Sequence, residues 1–118
     1  MNAQKFTQKS LEAIQNAQSI ALENQNAQIE QEHLMLALLE QEESLIKELL
    51  KKMGVSESFE KTLKSKINNM PKMSGGARPS DSIYVSRDVD LTLNDAEKIA
   101  SKMKDEYVSV EHIMLSIF

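Results

Sequence analysis

The sequence predicts an all-α domain, and two features of its composition lead to that prediction. Residues that favour helices (leucine, alanine, lysine, glutamate and glutamine) are abundant, whereas aromatic residues, which favour strands, make up only 4% of the 118 residues. Helix breakers are scarce as well: the chain holds three glycines and two prolines, and Gly75, Gly76 and Pro79 fall within one short stretch. The length matches a single folding unit.

The first two helices are marked by a capping residue and by apolar spacing. Thr7 is the expected N-cap of a first helix that ends near Asn24. The apolar residues of this helix recur at spacings of three and four: Leu11, Ile14, Ala17 and Ala21. A second helix is expected to begin about Gln31, and its run 34–39 is apolar on every side. Such a helix is normally the buried centre of a bundle.

Two further helices are predicted before the chain reaches its glycine-rich stretch. Ser44 can cap a third helix that ends at Gly54, and Ser56 can open a fourth that ends before Pro71. Their apolar stripes consist of Leu45, Ile46, Leu49, Leu50 and Met53, and of Phe59, Leu63 and Ile67. Residues 71–83 fit neither helix nor strand and are interpreted as a linker.

The remaining chain predicts a fifth and a sixth helix. Ser86 is the expected N-cap of the fifth, and Ser109 caps a sixth that is still running at Phe118. The stripe of the fifth helix comprises Leu93, Ala96, Ile99, Ala100 and Met103. Four methionines on apolar stripes are expected in the core: Met35, Met53, Met103 and Met114.

An internal repeat is the strongest signal in the sequence. The segment Glu32-His33-Leu34-Met35-Leu36 recurs 79 positions later as Glu111-His112-Ile113-Met114-Leu115. The same offset aligns Thr7 with Ser86, Ala17 with Ala96, and Ile29 with Val108. We therefore divide the chain into a first repeat (1–70), a linker (71–83) and a second repeat (84–118). Counterparts of residues 40–70 would fall after position 118, so the second repeat is expected to be incomplete and the chain to be a fragment.

The composition excludes several classes of function. The net charge of −4 argues against a nucleic-acid partner, which would require an excess of basic residues. The absence of cysteine excludes a disulfide framework, a cysteine-type zinc finger and a thiol nucleophile, and it fits a reducing compartment. The longest apolar run is far short of the ~20 residues that span a bilayer, and residues 1–10 do not form a secretory signal. We expect a cytoplasmic protein with no membrane partner.

Catalysis by this chain is not expected. None of the three glycines precedes lysine, so there is no P-loop, and no motif supports Ser–His–acid chemistry. Adjacent helical residues point about 100° apart, so neither Glu-His pair can chelate one metal ion. We predict no catalytic residue, no metal and no cofactor within the segment.

The two Glu-His pairs allow two interpretations. In the structural one, glutamate complements the positive end of the helix dipole and histidine bonds a neighbouring loop. In the functional one, Glu32 and Glu111 flank a ligand-facing surface near Thr7 and Ser86. The sequence alone leaves both open.

At this point the motifs resemble a known family, the Clp N-terminal domain in its two-repeat form. The matching segments are Phe6-Thr7-Gln8-Lys9, Ala17-Gln18-Ser19, the eight residues from Glu32 to Leu39, and Glu111-His112-Ile113-Met114-Leu115. Within the family the chain is most similar to the ClpB-type disaggregases, on Ile29-Glu30-Gln31-Glu32-His33, Met70-Pro71-Lys72 and Asp105-Glu106-Tyr107-Val108-Ser109. The ClpC-type protease unfoldases are the alternative.

The resemblance implies two four-helix repeats about a pseudo-twofold axis, the second truncated here. It also implies a non-catalytic domain tethered to AAA+ ATPase rings, where ATP and Mg²⁺ would bind, in a protein that assembles as a hexamer. Its partners would be unfolded or aggregated clients, adaptor proteins and a DnaK-type chaperone system.

The same resemblance implies two sets of site residues. In the ClpB reading, polypeptide binds an apolar groove with polar borders at Thr7, Asp105 and Glu111. Leu93 matches a groove leucine, Tyr107 is assigned to the same surface, and His112 stands where leucine occurs in relatives. In the ClpC reading, phosphoarginine occupies two symmetric sites, which would pair Thr7 with Glu32 and Ser86 with Glu111.

Overall fold

The computed structural model describes residues 3–41, 45–54, 58–72 and 84–117, and every regular element within these ranges is a helix. A 3₁₀ turn at Ala3–Lys5 precedes α1 (Gln8–Glu23) and α2 (Gln31–Glu40). The helices α3 (Leu45–Lys52) and α4 (Ser58–Asn68) follow, and then α5 (Arg87–Lys102) and α6 (Val110–Ile117). The all-α prediction is therefore confirmed. Ser44, Ser56 and residues 73–83 lie outside the described ranges.

Local chemistry accounts for the ends of the two longest helices. The Thr7 hydroxyl accepts the Ser10 N–H (3.2 Å) at the start of α1, and the Ser86 hydroxyl accepts the Val89 N–H (3.1 Å) at the start of α5. Both predicted caps are thereby confirmed. One residue beyond each C-cap, Gln25 and Lys104 adopt φ of 57° and 60°, positions again separated by 79.

Two short backbone bridges join the halves of the chain. Each bridge pairs a segment of the first half with a segment of the second half. Thr7 N–H donates to the Val108 carbonyl (2.9 Å), and Val108 N–H donates to the Lys5 carbonyl (2.7 Å). The other bridge repeats this pattern: Ser86 N–H donates to the Ile29 carbonyl (2.8 Å), and Ile29 N–H donates to the Tyr84 carbonyl (2.9 Å). The segment before α1 thus pairs with the segment before α6, and the segment before α5 pairs with the segment before α2.

The core forms around α2, which is buried throughout residues 33–39 as predicted. Helix α1 packs against α2, and α5 packs against α6. Both long helices carry buried alanines, which are Ala13, Ala17 and Ala21 in α1 and Ala96 and Ala100 in α5. These small side chains leave room for the larger residues of the facing helices. Leu63 and Ile67 of α4 are buried as α4 covers α2.

Two of the four methionines predicted in the core are exposed, so that prediction is wrong for Met53 and Met103. Met103 is the C-cap residue of α5, and Met53 follows the last residue of α3. Where a helix ends, its apolar stripe no longer faces the core, and the spacing rule fails. None of the helices in the described ranges is both long and apolar enough to span a membrane.

Candidate functional site

The exchanged bridges create two related surfaces, each formed where two helices begin side by side. We call residues 5–9 with 105–112 the first seam, because α1 and α6 begin there. Residues 26–33 with 84–88 form the second seam, where α2 and α5 begin. Since each bridge crosses between the halves, every seam contains residues from both repeats.

A buried histidine organises each seam in the same way. His33 Nδ1 accepts the Glu30 N–H (2.8 Å), and its Nε2 lies 2.8 Å from Asn26 Oδ1. A backbone N–H can only donate, so Nδ1 is the acceptor and Nε2 carries the proton. The neutral ring therefore joins the first turn of α2 to the loop before it, the loop contact expected in the structural interpretation.

The second histidine makes equivalent bonds with a different partner. His112 Nδ1 accepts the Ser109 N–H (2.9 Å), and Nε2 lies 2.8 Å from Asp105 Oδ2. The Ser109 hydroxyl is also 3.0 Å from Nδ1. A carboxylate thus stands in the first seam where Asn26 stands in the second. His112 is only 5% exposed, so its ring lies beneath the first seam and stabilises it through these hydrogen bonds.

The ionisation of His33 is set by its burial. Removal from water disfavours the imidazolium and lowers the pKa of His33 from its ordinary 6.5, while Glu30 and Glu32 act in the opposite direction. The ring is fully buried, and Asn26 offers it no negative charge. His33 is therefore a neutral hydrogen-bonding group.

Most of the residues expected for the ClpB-type site meet at the first seam. Thr7 is bonded to Val108, Asp105 is bonded to His112, and Glu111 lies in the first turn of α6. Tyr107 is 51% exposed in the turn before the bridge.

Leu93 does not share that exposure. Leu93 is 2% exposed and is one of the residues that α5 contributes to the hydrophobic core. Its side chain, like that of His112, presents no surface to a ligand in this conformation.

The structure combines the residues expected for the ClpC-type sites in different pairs from those expected. Thr7 is bonded to Val108, three residues before Glu111, and Ser86 is bonded to Ile29, three residues before Glu32. Glu32 also lines a cavity together with Asp88, which lies in the first turn of α5. The seams therefore combine Thr7 with Glu111 and Ser86 with Glu32, because each bridge runs between repeats.

Charge distinguishes the two seams. A cavity of about 360 Å³ opens at the second seam, where Glu30, Glu32 and Asp88 line it beside Met70 and Pro71. In the first seam the positions related by the repeat carry Ser109, Glu111 and Lys9. Three carboxylates thus line the cavity at the second seam, and the acidic Asp88 stands there in place of the basic Lys9. In the described ranges no group of three or more acidic or histidine side chains is arranged to hold a metal ion.

Sequence reasoning missed two polar residues, one beside the first seam and one within the second. Ser10 is fully buried, and its hydroxyl donates to the Val108 carbonyl (3.0 Å), which reinforces the first bridge. Asn26 is buried beside His33. A serine three residues after a cap is unremarkable in sequence, but the alignment of Asn26 with Asp105 could have signalled a shared partner for the two histidines.

Comparison with known proteins gives one consistent family. A family model described as the Clp repeat (R) N-terminal domain matches residues 5–118. The chain is 40% identical over 114 residues to the chaperone protein ClpB of Nitratidesulfovibrio vulgaris, covering 96% of this chain and 13% of that protein. It is 36% identical over 118 residues to ClpB of Clostridium perfringens, covering 99% of this chain and 14% of that protein. The chain thus spans only a small part of the curated relatives that it matches.

Solved structures agree with this assignment. The crystal structure of the Hsp104 N-terminal domain from Candida albicans superposes with a TM-score of 0.84 at 27% identity, covering 95% of this chain and 72% of that one. The N-terminal domain of the ClpV1 ATPase from E. coli gives a TM-score of 0.82 at 21% identity, covering 97% and 68%, which is a likeness of fold alone.

Replacing Leu93 with glutamine tests whether this residue is part of the core. We expect Leu93→Gln to lower the free energy of unfolding by about 3 kcal/mol, because it buries an amide and removes apolar contacts. Leu91→Gln is the matched control on the same helix, 50% exposed, and should change stability by less than about 0.5 kcal/mol. Urea unfolding measures both. Equal stability of the two variants would contradict the burial of Leu93.

Acid should destabilise the fold through His33. Because burial lowers its pKa in the folded chain, the unfolded chain binds more protons between the folded pKa and 6.5. The contribution is complete above pH 6.5 and is lost as the pH falls towards the folded value. Urea unfolding at about pH 7.5 and about pH 5.5 measures it, and His33→Gln should flatten the profile. An unchanged pH dependence in His33→Gln would show that another group is responsible.

Proposed function

The chain belongs to the Clp repeat N-terminal domain family, and we propose that it captures unfolded or aggregated polypeptide for a ring-forming ATPase. It is an N-terminal domain of the type found in ClpB and Hsp104 chaperones. On this proposal the domain binds clients and does not itself catalyse a reaction.

The observation that carries the proposal is the setting of Tyr107 in the first seam. Half of its side chain is exposed, and the turn that holds it is fixed on both sides, by the Val108 bridge and by the Asp105–His112 bond. An aromatic ring offers a large contact area with little loss of rotamer freedom. Attraction of this kind is non-directional, which suits clients without a defined sequence.

The polar border of the first seam supports the same role. Asp105 and Glu111 offer carboxylate oxygens to the backbone N–H groups or basic side chains of an extended client. The bond from Thr7 to Ser10 and the burial of Leu93 and His112 keep this surface in place. We therefore assign Tyr107, Asp105 and Glu111 to contact, and Thr7, Leu93 and His112 to support.

ATP and Mg²⁺ would bind in ATPase rings outside this chain, and the protein would act as a cytoplasmic hexamer. Adaptor proteins and a DnaK-type chaperone system would be its partners.

One observation favours a second candidate function, and it concerns the first seam only. A phosphoarginine-docking domain of the ClpC type needs a cationic or N–H-rich contact for phosphate and a carboxylate for the guanidinium. Lys9 and the start of α1 supply the former, and Glu111 at the start of α6 supplies the latter. At the second seam Asp88 stands in place of Lys9 and lines the cavity together with Glu30 and Glu32, so phosphate is repelled there. This candidate therefore predicts one phosphoarginine site where the family resemblance suggested two.

Binding of an unfolded client tests the leading proposal. We expect Tyr107→Ser to weaken binding of a fluorescent, permanently unfolded carboxymethylated protein roughly tenfold, or about 1.4 kcal/mol. Tyr84→Ser is the matched control, because Tyr84 is 77% exposed at the second seam, and its affinity should be unchanged. Fluorescence anisotropy measures both variants, and thermal unfolding verifies that they fold.

Two outcomes would reject the leading proposal. One is equal affinity of Tyr107→Ser and the unsubstituted chain. The other is client binding that disappears between about 50 mM and about 500 mM salt, since apolar contacts survive screening. Saturable binding of phosphoarginine that is lost in Lys9→Gln and Glu111→Gln, with Tyr107→Ser unaffected, would support the second candidate in its place.

A further inference from the structure

A set of asparagine hydrogen bonds fastens the end of α4 to the corner between α1 and α2. Asn24, the C-cap residue of α1, donates its side-chain amide to the Ile67 carbonyl (2.6 Å) and to Asn26 Oδ1 (3.0 Å). Its own Oδ1 accepts from Lys72 Nζ (3.0 Å). Asn26 donates to the Pro71 carbonyl (3.3 Å). These bonds hold residues 67–72, where α4 ends.

We propose that Asn24 and Asn26 form a polar latch on the end of α4, and that protonation of His33 opens this latch. The proposal is independent of which ligand the seams bind. It rests on the direction in which each hydrogen bond of the cluster must point.

The neutral His33 ring fixes the orientation of the Asn26 amide. Its Nε2–H requires an acceptor, so Asn26 must present Oδ1 to the ring and Nδ2 to the Pro71 carbonyl. A flipped amide would set two donors against each other. The Asn24 amide donates to the same Oδ1 (3.0 Å), so the neutral ring and Asn24 together give the latch a single orientation.

A second proton on His33 breaks this arrangement. It would occupy Nδ1, which lies 2.8 Å from the donating Glu30 nitrogen, and two donors cannot share that distance. The ring must then move, and Asn26 Oδ1 loses one of its donors, so that the Asn24 amide is left to hold it.

The charges around His33 modify this response without removing it. Glu30 and Glu32 favour the charged ring, and Asp88 of α5 lines the adjacent cavity, whereas Lys72 beside Asn24 opposes a positive charge. Burial of the ring outweighs the carboxylates and lowers its pKa. The latch therefore stays closed at neutral pH and opens in acid.

The second repeat provides an internal contrast. Met103 replaces Asn24 and offers no amide, and Asp105 replaces Asn26. His112 Nε2 lies 2.8 Å from the Asp105 carboxylate, and the Ser109 hydroxyl lies 3.0 Å from Nδ1. At the equivalent places around His33 stand the uncharged amide of Asn26 and the side chain of Glu30.

Opening the latch would free α4 from α2. Leu63 and Ile67 are the buried residues of α4, and α4 packs against the apolar helix α2. Loss of the bonds at residues 67–72 would first loosen the last turn of α4 and then uncover part of α2. Acid would in this way expose apolar surface without unfolding α5 or α6.

Hydrogen exchange of the whole chain, followed by NMR, tests the proposal. After correction for intrinsic rates, protection of the amides in the last turn of α4 should fall about tenfold between about pH 7.5 and about pH 5.5. Amides of α5 and α6 should change much less. His33→Gln keeps a side-chain donor for Asn26 but cannot titrate, so it should abolish the difference.

A second variant keeps the test decisive if His33→Gln does not fold. Asn24→Ala, at a half-buried position, should reduce protection at the end of α4 about tenfold already at neutral pH. Asp105→Asn is the control at the position equivalent to Asn26, and it should leave the α4 response intact. Unchanged α4 protection in Asn24→Ala, or an equal acid response in all helices, would overturn the proposal.

Discussion

The exchanged backbone pairing is the constraint on which the rest of the structure depends. Four hydrogen bonds, two at each bridge, tie the residues before each long helix to the residues before the short helix of the other half. An isolated pair of helices buries too little apolar surface to be stable in water. Because the bridges join the helices of the two halves, α2 packs against α1, α4 and α5 together. Neither half is therefore complete without the other.

The same exchange places chemistry at the seams. Because each bridge brings two helix starts together, a capping hydroxyl and a glutamate from different repeats become neighbours at both places. The backbone arrangement is the same at both seams, but the charges of the side chains differ. Lys9 and Ser109 in the first seam correspond to Asp88 and Glu30 in the second. Duplication followed by divergence of a few side chains thus yields two surfaces of different character on one scaffold.

The sequence predicted what local chemistry determines. Thr7 and Ser86 were identifiable as caps, and the apolar run of α2 as the buried helix, because each signal lies within a few residues. The pairing of Thr7 with Glu111 was not predictable, since it depends on a bridge between residues about a hundred positions apart. Spacing alone also could not distinguish Leu93 in the core from exposed Met103 on the same stripe, because the helix ends between them. Asn26 was missed because only its alignment with Asp105 signals the histidine contact, and because the fold alone brings the Pro71 carbonyl to it.

Native-state hydrogen exchange of two amides, Val108 N–H and Ile29 N–H, tests the central claim most directly. If the bridges fasten the halves into one folding unit, both amides exchange only through global unfolding. Their exchange free energies should then equal each other and those of the slowest amides in α1 and α5, at every urea concentration. Exchange of either amide at a much lower free energy, while the helices of one half remain protected, would show that the halves open independently and would contradict the account.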